Sequence, residues 1–328
     1  MNQPFLRWAL MGTARINHAL IPPLRACKRA RLVAVASRDL HKAEQYANQW
    51  GIPRFFGSYE AALADPDIDV FYVSLPNSLH AEWSIKAVQA GKHVLCEKPL
   101  ATSVEEVDAM IQAAHETGKI ITEAFMYRHH PYTLKVKELV DSGAIGKLRL
   151  IRGSFSFNLQ RQPDVRLDPG LKGGSIWDVG CYPINYARYI TGSEPIEVFG
   201  WQVCSSTGVD ETFVGNLRFP GNVMAQFDSS FTASFRMQVE IVGSEGTIVL
   251  PRAYKPNRYD RILVQRGNIH ERFPVRTPEL YLGEIEDLTD AILLGKVPRL
   301  SLQDSRANVA VITALLESSQ TSAPVVMA

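Results

Sequence analysis

From Trp8 to Glu123, short apolar runs alternate with stretches of helical spacing, and this rhythm constrains the fold more than any other feature of the chain. Trp8-Ala9-Leu10-Met11, Leu32-Val33-Ala34-Val35-Ala36, Val70-Phe71-Tyr72-Val73-Ser74 and His93-Val94-Leu95-Cys96 read as buried strands, with Arg54-Phe55-Phe56 a shorter one. Between them the spacing predicts four helices. The first is broken at Pro22-Pro23, the second runs from His41 to Trp50 and closes at Gly51, and the third runs from Ser78 to Ala90 with Gly91 as its cap. The fourth spans Ser103 to Thr117, with Ser103 as N-cap. Strands that alternate with helices pair in parallel through crossovers, so this part is α/β, a doubly wound parallel sheet of the Rossmann type.

After Glu123 the pattern changes. Helices are expected at Tyr132–Ser142 and Ile176–Ile190, the latter ending at Gly192. Strand-like runs follow at Leu148–Phe157, Ile196–Cys204, Glu211–Phe219, Val223–Phe231, Met237–Val242 and Thr247–Leu250, with turns such as Pro220-Gly221-Asn222 between them. Hairpin-length spacing argues for a large, mainly antiparallel open sheet in an α+β domain. Two helices, Tyr281–Leu294 and Leu302–Ser319, close the chain. The expected division is a dinucleotide-binding domain over residues 1–122 and a substrate-binding and oligomerisation domain over residues 123–328. A broad open sheet leaves a face to cover, so a homodimer or homotetramer through that sheet is expected.

Composition narrows the partners. A net charge of +1 gives no electrostatic case for nucleic acid or an anionic membrane surface. No apolar run approaches the roughly 18–20 residues of a membrane helix. Met1-Asn2-Gln3-Pro4-Phe5 lacks a basic segment followed by an apolar one, so a cytoplasmic location is expected. Cys27, Cys96, Cys181 and Cys204 are far apart and lack metal-site spacing, which reads as reduced thiols and no metal centre.

Met11-Gly12-Thr13-Ala14-Arg15-Ile16-Asn17 stands where a dinucleotide fingerprint belongs. Gly12 suits the tight turn, and Ala14 is small enough for backbone amides to approach a pyrophosphate. Only one of the template's three glycines is present. At the end of the second strand, Ser37-Arg38 and then Lys42 replace the acidic residue that holds a ribose 2′-hydroxyl. A guanidinium with a hydroxyl suits a 2′-phosphate, so NADP(H) is preferred. NAD(H) stays possible, because Asp39 can serve the ribose. Cys96-Glu97-Lys98-Pro99 delivers a lysine beyond the carboxyl end of a strand, the edge at which open α/β sheets bind ligands.

These residues resemble the Gfo/Idh/MocA oxidoreductases, the group of glucose–fructose oxidoreductase and inositol dehydrogenase. The resemblance rests on Pro76-Asn77 with His80, on Ala90-Gly91-Lys92-His93-Val94 leading to Cys96-Glu97-Lys98-Pro99, and on Glu123 to Pro131. Gly173 to Tyr182 and Val242 to Thr247 extend it over essentially the whole chain. It implies Lys98 as the catalytic lysine of the E-K-P motif, with Leu75, Pro76, Asn77, His80 and Glu97 along the cofactor. Many members carry a histidine where this chain has Tyr182, and Asn185 stands where a later aspartate is common. Tyrosine resembles the branch with glucose–fructose oxidoreductase, aldose dehydrogenases, dihydrodiol dehydrogenase and some sugar-nucleotide ketoreductases.

The implied chemistry is hydride transfer between nicotinamide and a hydroxyl or carbonyl carbon of a sugar or related polyol. A free tyrosine titrates near pH ~10, and a neighbouring ammonium lowers that value, so Lys98 with Tyr182 forms an expected proton-transfer pair. Asp178 either orients a sugar hydroxyl or the lysine, or caps its helix. Arg166 either reaches the substrate or nicotinamide carboxamide, or lies on the surface. Tyr127 stands at the domain junction as a further expected substrate contact, beside Arg128 and His130. Two other readings remain open, a sugar-nucleotide 3-ketoreductase and a non-catalytic cofactor-binding regulator.

Overall fold

The computed structural model describes residues 4–160, 163–257, 259–275 and 278–327, so Met1, Asn2 and Gln3 of the N-terminal segment lie outside it. Two compact units emerge. One comprises Met1–His129 with Glu279–Arg306, and the other His130–Pro278 with Ala307–Ala328. The segment Glu279–Arg306, which the sequence groups with the second half, packs with the first.

In the first unit the described residues build a six-stranded parallel sheet from β1 (Leu6–Met11), β2 (Ala30–Ala36), β3 (Arg54–Phe56), β4 (Val70–Val73), β5 (His93–Cys96) and β6 (Ile121–Glu123). The order β3-β2-β1-β4-β5-β6 reverses direction between β1 and β4, the doubly wound arrangement expected. Trp8 to Met11 and all of β4 are wholly buried, because helices cover both faces of a parallel sheet.

The crossover helices are α1 (Asn17–Ala26), α2 (Leu40–Trp50), α3 (Tyr59–Leu63), α4 (His80–Gln89) and α5 (Val104–Thr117). Ser103 caps α5 by accepting from Glu106 N at 3.2 Å, as its place before the helix predicts. Gly51 ends α2 in the left-handed region. Helix α1 runs on through Pro22 and Pro23, against the expected break. The carbonyls those prolines cannot serve belong to His18 and Ala19, residues on the exposed side of the helix. The third helix begins with a 3₁₀ turn at Asn77–Leu79 before α4.

In the second unit α6 (Pro131–Asp141) precedes β7 (Leu148–Ser156), and α7 (Cys181–Thr191) follows a π-helical turn at Ile176–Gly180. The single helix expected over Ile176–Ile190 is therefore two pieces with different periods. The remaining strands are β8 (Glu197–Cys204), β9 (Asp210–Phe219), β10 (Val223–Ser230), β11 (Val239–Gly243), β12 (Thr247–Leu250), β13 (Arg261–Arg266), β14 (Ile269–Pro274) and β15 (Val325–Val326). The described residues form a nine-stranded sheet in the order β14-β13-β12-β11-β7-β10-β9-β8-β15. It is antiparallel except where β10 lies parallel to β7. Alternation sorts its faces: Ala225 and Phe227 are buried, whereas Met224 and Gln226, which alternate with them, are exposed. The open face carries a groove of ≈ 740 Å³ lined by Arg152, Gln226, Asp228, Arg236 and Glu240.

Candidate active site

In the first unit the turn after β1 is built around Gly12, whose φ of +104° favours glycine. Its N–H donates to Ala36 O at 2.9 Å, and a Cβ there would lie 3.1 Å from Leu75 Cδ2. Asn17, which breaks the glycine template, is wholly buried and donates Nδ2 to Gly12 O at 2.9 Å. The asparagine thus closes the turn by a side-chain bond where a third glycine would close it by proximity. Thr13, Ala14, Arg15 and Ile16 lead into the N-terminus of α1 at the carboxyl edge of the sheet. This cradle fits a dinucleotide pyrophosphate, with little side-chain bulk and a favourable helix terminus.

Asp39 accepts from Lys42 N at 3.1 Å and caps α2, so its carboxylate serves the backbone. Arg38 and Lys42 are exposed, and Ser37 is buried with its hydroxyl accepting from Asp39 N at 3.3 Å. Burial raises the Tyr59 phenol, and the Arg38 guanidinium beside it holds that rise down. The end of β2 therefore presents cations and a hydroxyl, which fits a 2′-phosphate.

His80 is buried, with Nδ1 2.7 Å from Pro99 O and Nε2 2.8 Å from Leu75 O. It ties the Leu75-Pro76-Asn77 loop to the segment after Lys98, and burial lowers its pKa. Lys98 is half-buried beyond the end of β5, and the Lys98–Pro99 peptide is cis. Glu97 beneath it accepts from the Tyr72 hydroxyl and, at 3.3 Å, from Lys98 N. Glu284, on the late helix Leu282–Leu294, is wholly enclosed nearby. Neither of its carboxyl oxygens has a hydrogen-bond partner among the described residues. Burial, then the Glu97 charge, push its pKa well above the carboxylate range. Tyr127 is fully buried, with its ring edge-on to Phe125 at 5.8 Å.

In the second unit Tyr182 is the second residue of α7 and 4% exposed. Its ring lies 5.2 Å from Phe155 and 5.5 Å from Tyr254, contacts that fix the direction of its hydroxyl. Asp178 lies inside the π-turn rather than at a helix N-cap. Its carboxylate accepts from Arg166 Nε at 2.6 Å, and Arg166 also holds Asp164 at 3.2 Å. Asp178 raises the arginine pKa further, so Arg166 is a fixed cation beside the turn. Sequence reasoning missed Phe155, Tyr254, Ser175 and Asp210. The last accepts from Ser175 Oγ and Ile176 N, and burial pushes its pKa up to about 6. Among the described residues no group of three or more His, Cys, Asp or Glu side chains is placed to hold a metal.

A reversed parallel sheet with a glycine turn at its switch point defines a dinucleotide-binding domain. Residues 6–125 match the oxidoreductase family with an NAD-binding Rossmann fold, and residues 133–249 match the GFO/IDH/MocA C-terminal domain. The chain belongs to the Gfo/Idh/MocA family. It is 34% identical over 326 residues to D-xylose 1-dehydrogenase (NADP(+)) 2 of Haloferax volcanii, covering 98% of this chain and 99% of that protein. Among solved structures it is similar to the aldose-aldose oxidoreductase of Caulobacter crescentus complexed with glycerol, with TM-score 0.92 and 27% identity, over 98% of this chain and 100% of that one. It is also similar to a 3-ketoreductase of Actinomadura kijaniata in complex with NADP and TDP-benzene, with TM-score 0.91 and 29% identity, over 96% and 98% of the two chains.

Proposed function

We propose that the protein transfers a hydride between NADP(H) and a hydroxyl or carbonyl carbon of a sugar or related polyol. The observation that carries this reading is the seat of Tyr182, a phenol fixed by Phe155 and Tyr254 straight after the turn that bears Asp178, the partner of Arg166. Relatives named as an NADP+-dependent xylose dehydrogenase, an aldose-aldose oxidoreductase and an NADP-bound 3-ketoreductase support the cofactor and substrate class.

Residues 1–122 supply most of the cofactor site, and substrate residues come chiefly from 123–328. Gly12 to Ile16 hold the pyrophosphate, while Ser37, Arg38 and Lys42 hold the 2′-phosphate. Bound NADP(H) supplies or accepts the hydride. Tyr182 carries the proton of the substrate hydroxyl, and the Lys98 ammonium stabilises the phenolate that this requires. Asp178, steadied by Arg166, orients a neighbouring hydroxyl. The test is NADP+ reduction across a panel of aldoses, repeated with NAD+ and with Tyr182→Phe. Turnover that survives Tyr182→Phe near the wild-type rate refutes the assignment. Competition by a nucleoside diphosphate redirects it to a sugar-nucleotide 3-ketoreductase.

The open face of the second sheet is the proposed interface of a homodimer or homotetramer. Trp201 (56% exposed) and Met224 (50%) stand among the charged residues of that face, an apolar–polar mixture suited to self-association. A monomeric sedimentation profile at micromolar concentration refutes it. The expected place of action is the reducing cytoplasm, which suits four cysteines spaced far apart in the chain.

A further inference from the structure

We propose that Asp210 is a positioning residue of the active site: its carboxylate clamps the π-turn at Ile176–Gly180 to the sheet and so sets where Asp178 and Tyr182 stand. The proposal rests on the reading of Tyr182 as proton carrier and adds a residue that touches neither substrate nor cofactor.

The geometry is that of a clamp. Asp210 opens β9 and is 5% exposed. Its Oδ2 accepts from Ser175 Oγ at 2.6 Å and from Ile176 N at 2.8 Å, the first residues of the turn. Ser175 Oγ also lies 2.9 Å from Ser229 Oγ on β10, which links the turn to a second strand. The other carboxylate oxygen packs on the backbone of Gly174, where a Cβ would stand 2.2 Å from Oδ1. At the far end of the turn, a Cβ on Gly180 would lie 3.1 Å from Ser229 Oγ. Both ends of the turn are thus seated directly on β9 and β10, and α7 with Tyr182 continues from it.

The carboxylate form holds the turn more tightly. Ser175 Oγ–H and Ile176 N–H both donate to Oδ2, and bonds to an ionised acceptor are roughly twice as strong as bonds to a neutral one. The groups that face Asp210 from the turn and from β10 are hydroxyls and backbone amides, and on β8 the thiol-bearing Cys204 stands opposite it in register. Arg166, on the earlier 3₁₀ turn Val165–Leu167, holds the carboxylates of both Asp178 and Asp164. Burial raises the Asp210 pKa to about 6 and the Ser175 and Ile176 hydrogen bonds restrain it, so the clamp loosens on mild acidification.

Trp177 reports on the turn directly, since its Cδ1 lies 3.7 Å from the same Cβ position on Gly174. The experiment follows its emission, as the difference from Trp177→Phe, between pH 5 and 8. In parallel, kcat for NADP+ reduction is measured with the most active aldose of the panel. The expected result is emission that titrates near pH 6 with kcat falling along the same limb, and loss of both limbs in Asp210→Asn. At neutral pH that variant should lose about tenfold or more in kcat, with KM for NADP+ unchanged within about twofold. Ser175→Ala, which removes a bond that favours the carboxylate, should move the limb to higher pH. That variant decides the matter where Asp210→Asn does not fold. A limb unmoved by Ser175→Ala overturns the proposal, as does emission that titrates while kcat stays flat. Full turnover in Tyr182→Phe instead refutes the function reading, while the emission limb still reports the clamp.

Discussion

Glu284→Gln should stabilise the protein increasingly as pH rises. The glutamate is 1% exposed, its oxygens are unpartnered among the described residues, and the Glu97 charge lies close by. Ionising it in place would put a bare charge in a low-dielectric interior beside another of the same sign. The folded state therefore keeps its proton over a pH range in which the unfolded chain has released it. Folding takes up a proton in that window, so stability falls by about 1.4 kcal/mol for each pH unit between the unfolded and the raised folded pKa. Glutamine copies the shape of the neutral acid and removes the proton uptake. For a protein of this size 1 kcal/mol corresponds to roughly 2–4 °C in Tm, so the Tm gap over wild type should widen by about 3–6 °C per pH unit above the unfolded value. Thermal melts in buffers from pH 5 to 7 measure it directly. A gap that stays constant across those buffers would show that Glu284 is solvated or paired, and the reasoning would fail.

Two further outcomes follow from the geometry. Arg38→Ala should weaken NADP+ by about ten- to a hundredfold, the scale of a lost charge-assisted contact, and barely change NAD+; isothermal titration with each cofactor decides, and equal losses refute the NADP(H) preference. Gly174→Ala adds a Cβ to a residue at φ +127° against the Asp210 carboxylate, so it should cost about 1–3 kcal/mol in denaturant melts and depress turnover. Wild-type stability in that variant would show that the turn is loosely seated.

The parallel sheet was legible because each strand is short, apolar and followed by helical spacing, and a parallel sheet covered by helices buries such runs on both faces. The cofactor turn was legible in position and less so in detail. A glycine template cannot show that Asn17 closes the loop with its side-chain amide. Asp39 looked like a ribose ligand because sequence places it at the right strand end; only the bond to Lys42 N reveals it as a helix cap. The π-turn was invisible because one wider turn barely alters the apolar spacing over Ile176–Ile190. Asp210, a single acid at a strand start, carries no local pattern, and its partner Ser175 is 35 residues earlier in the chain. Strands β13 and β14 were missed because Arg261, Arg266, Glu271 and Arg272 mask their alternation.

The return of Glu279–Arg306 to the first unit has a consequence for how the protein is made. Arg29 pairs with Asp290, Arg128 with Asp304 at 2.9 Å, His129 with Asp287 at 3.3 Å and Arg306 with Asp108 at 2.6 Å. A ribosome that has just synthesised His129 has produced every strand of the first sheet but none of those distant partners. Arg29 and its partner Asp290 are 261 residues apart in the chain. The nucleotide-binding unit is thus among the first to begin forming and among the last to be finished. A fragment cut after His129 would carry the sheet yet lack Asp304, the carboxylate that buried Arg128 holds, so it should be a poor surrogate for the whole protein.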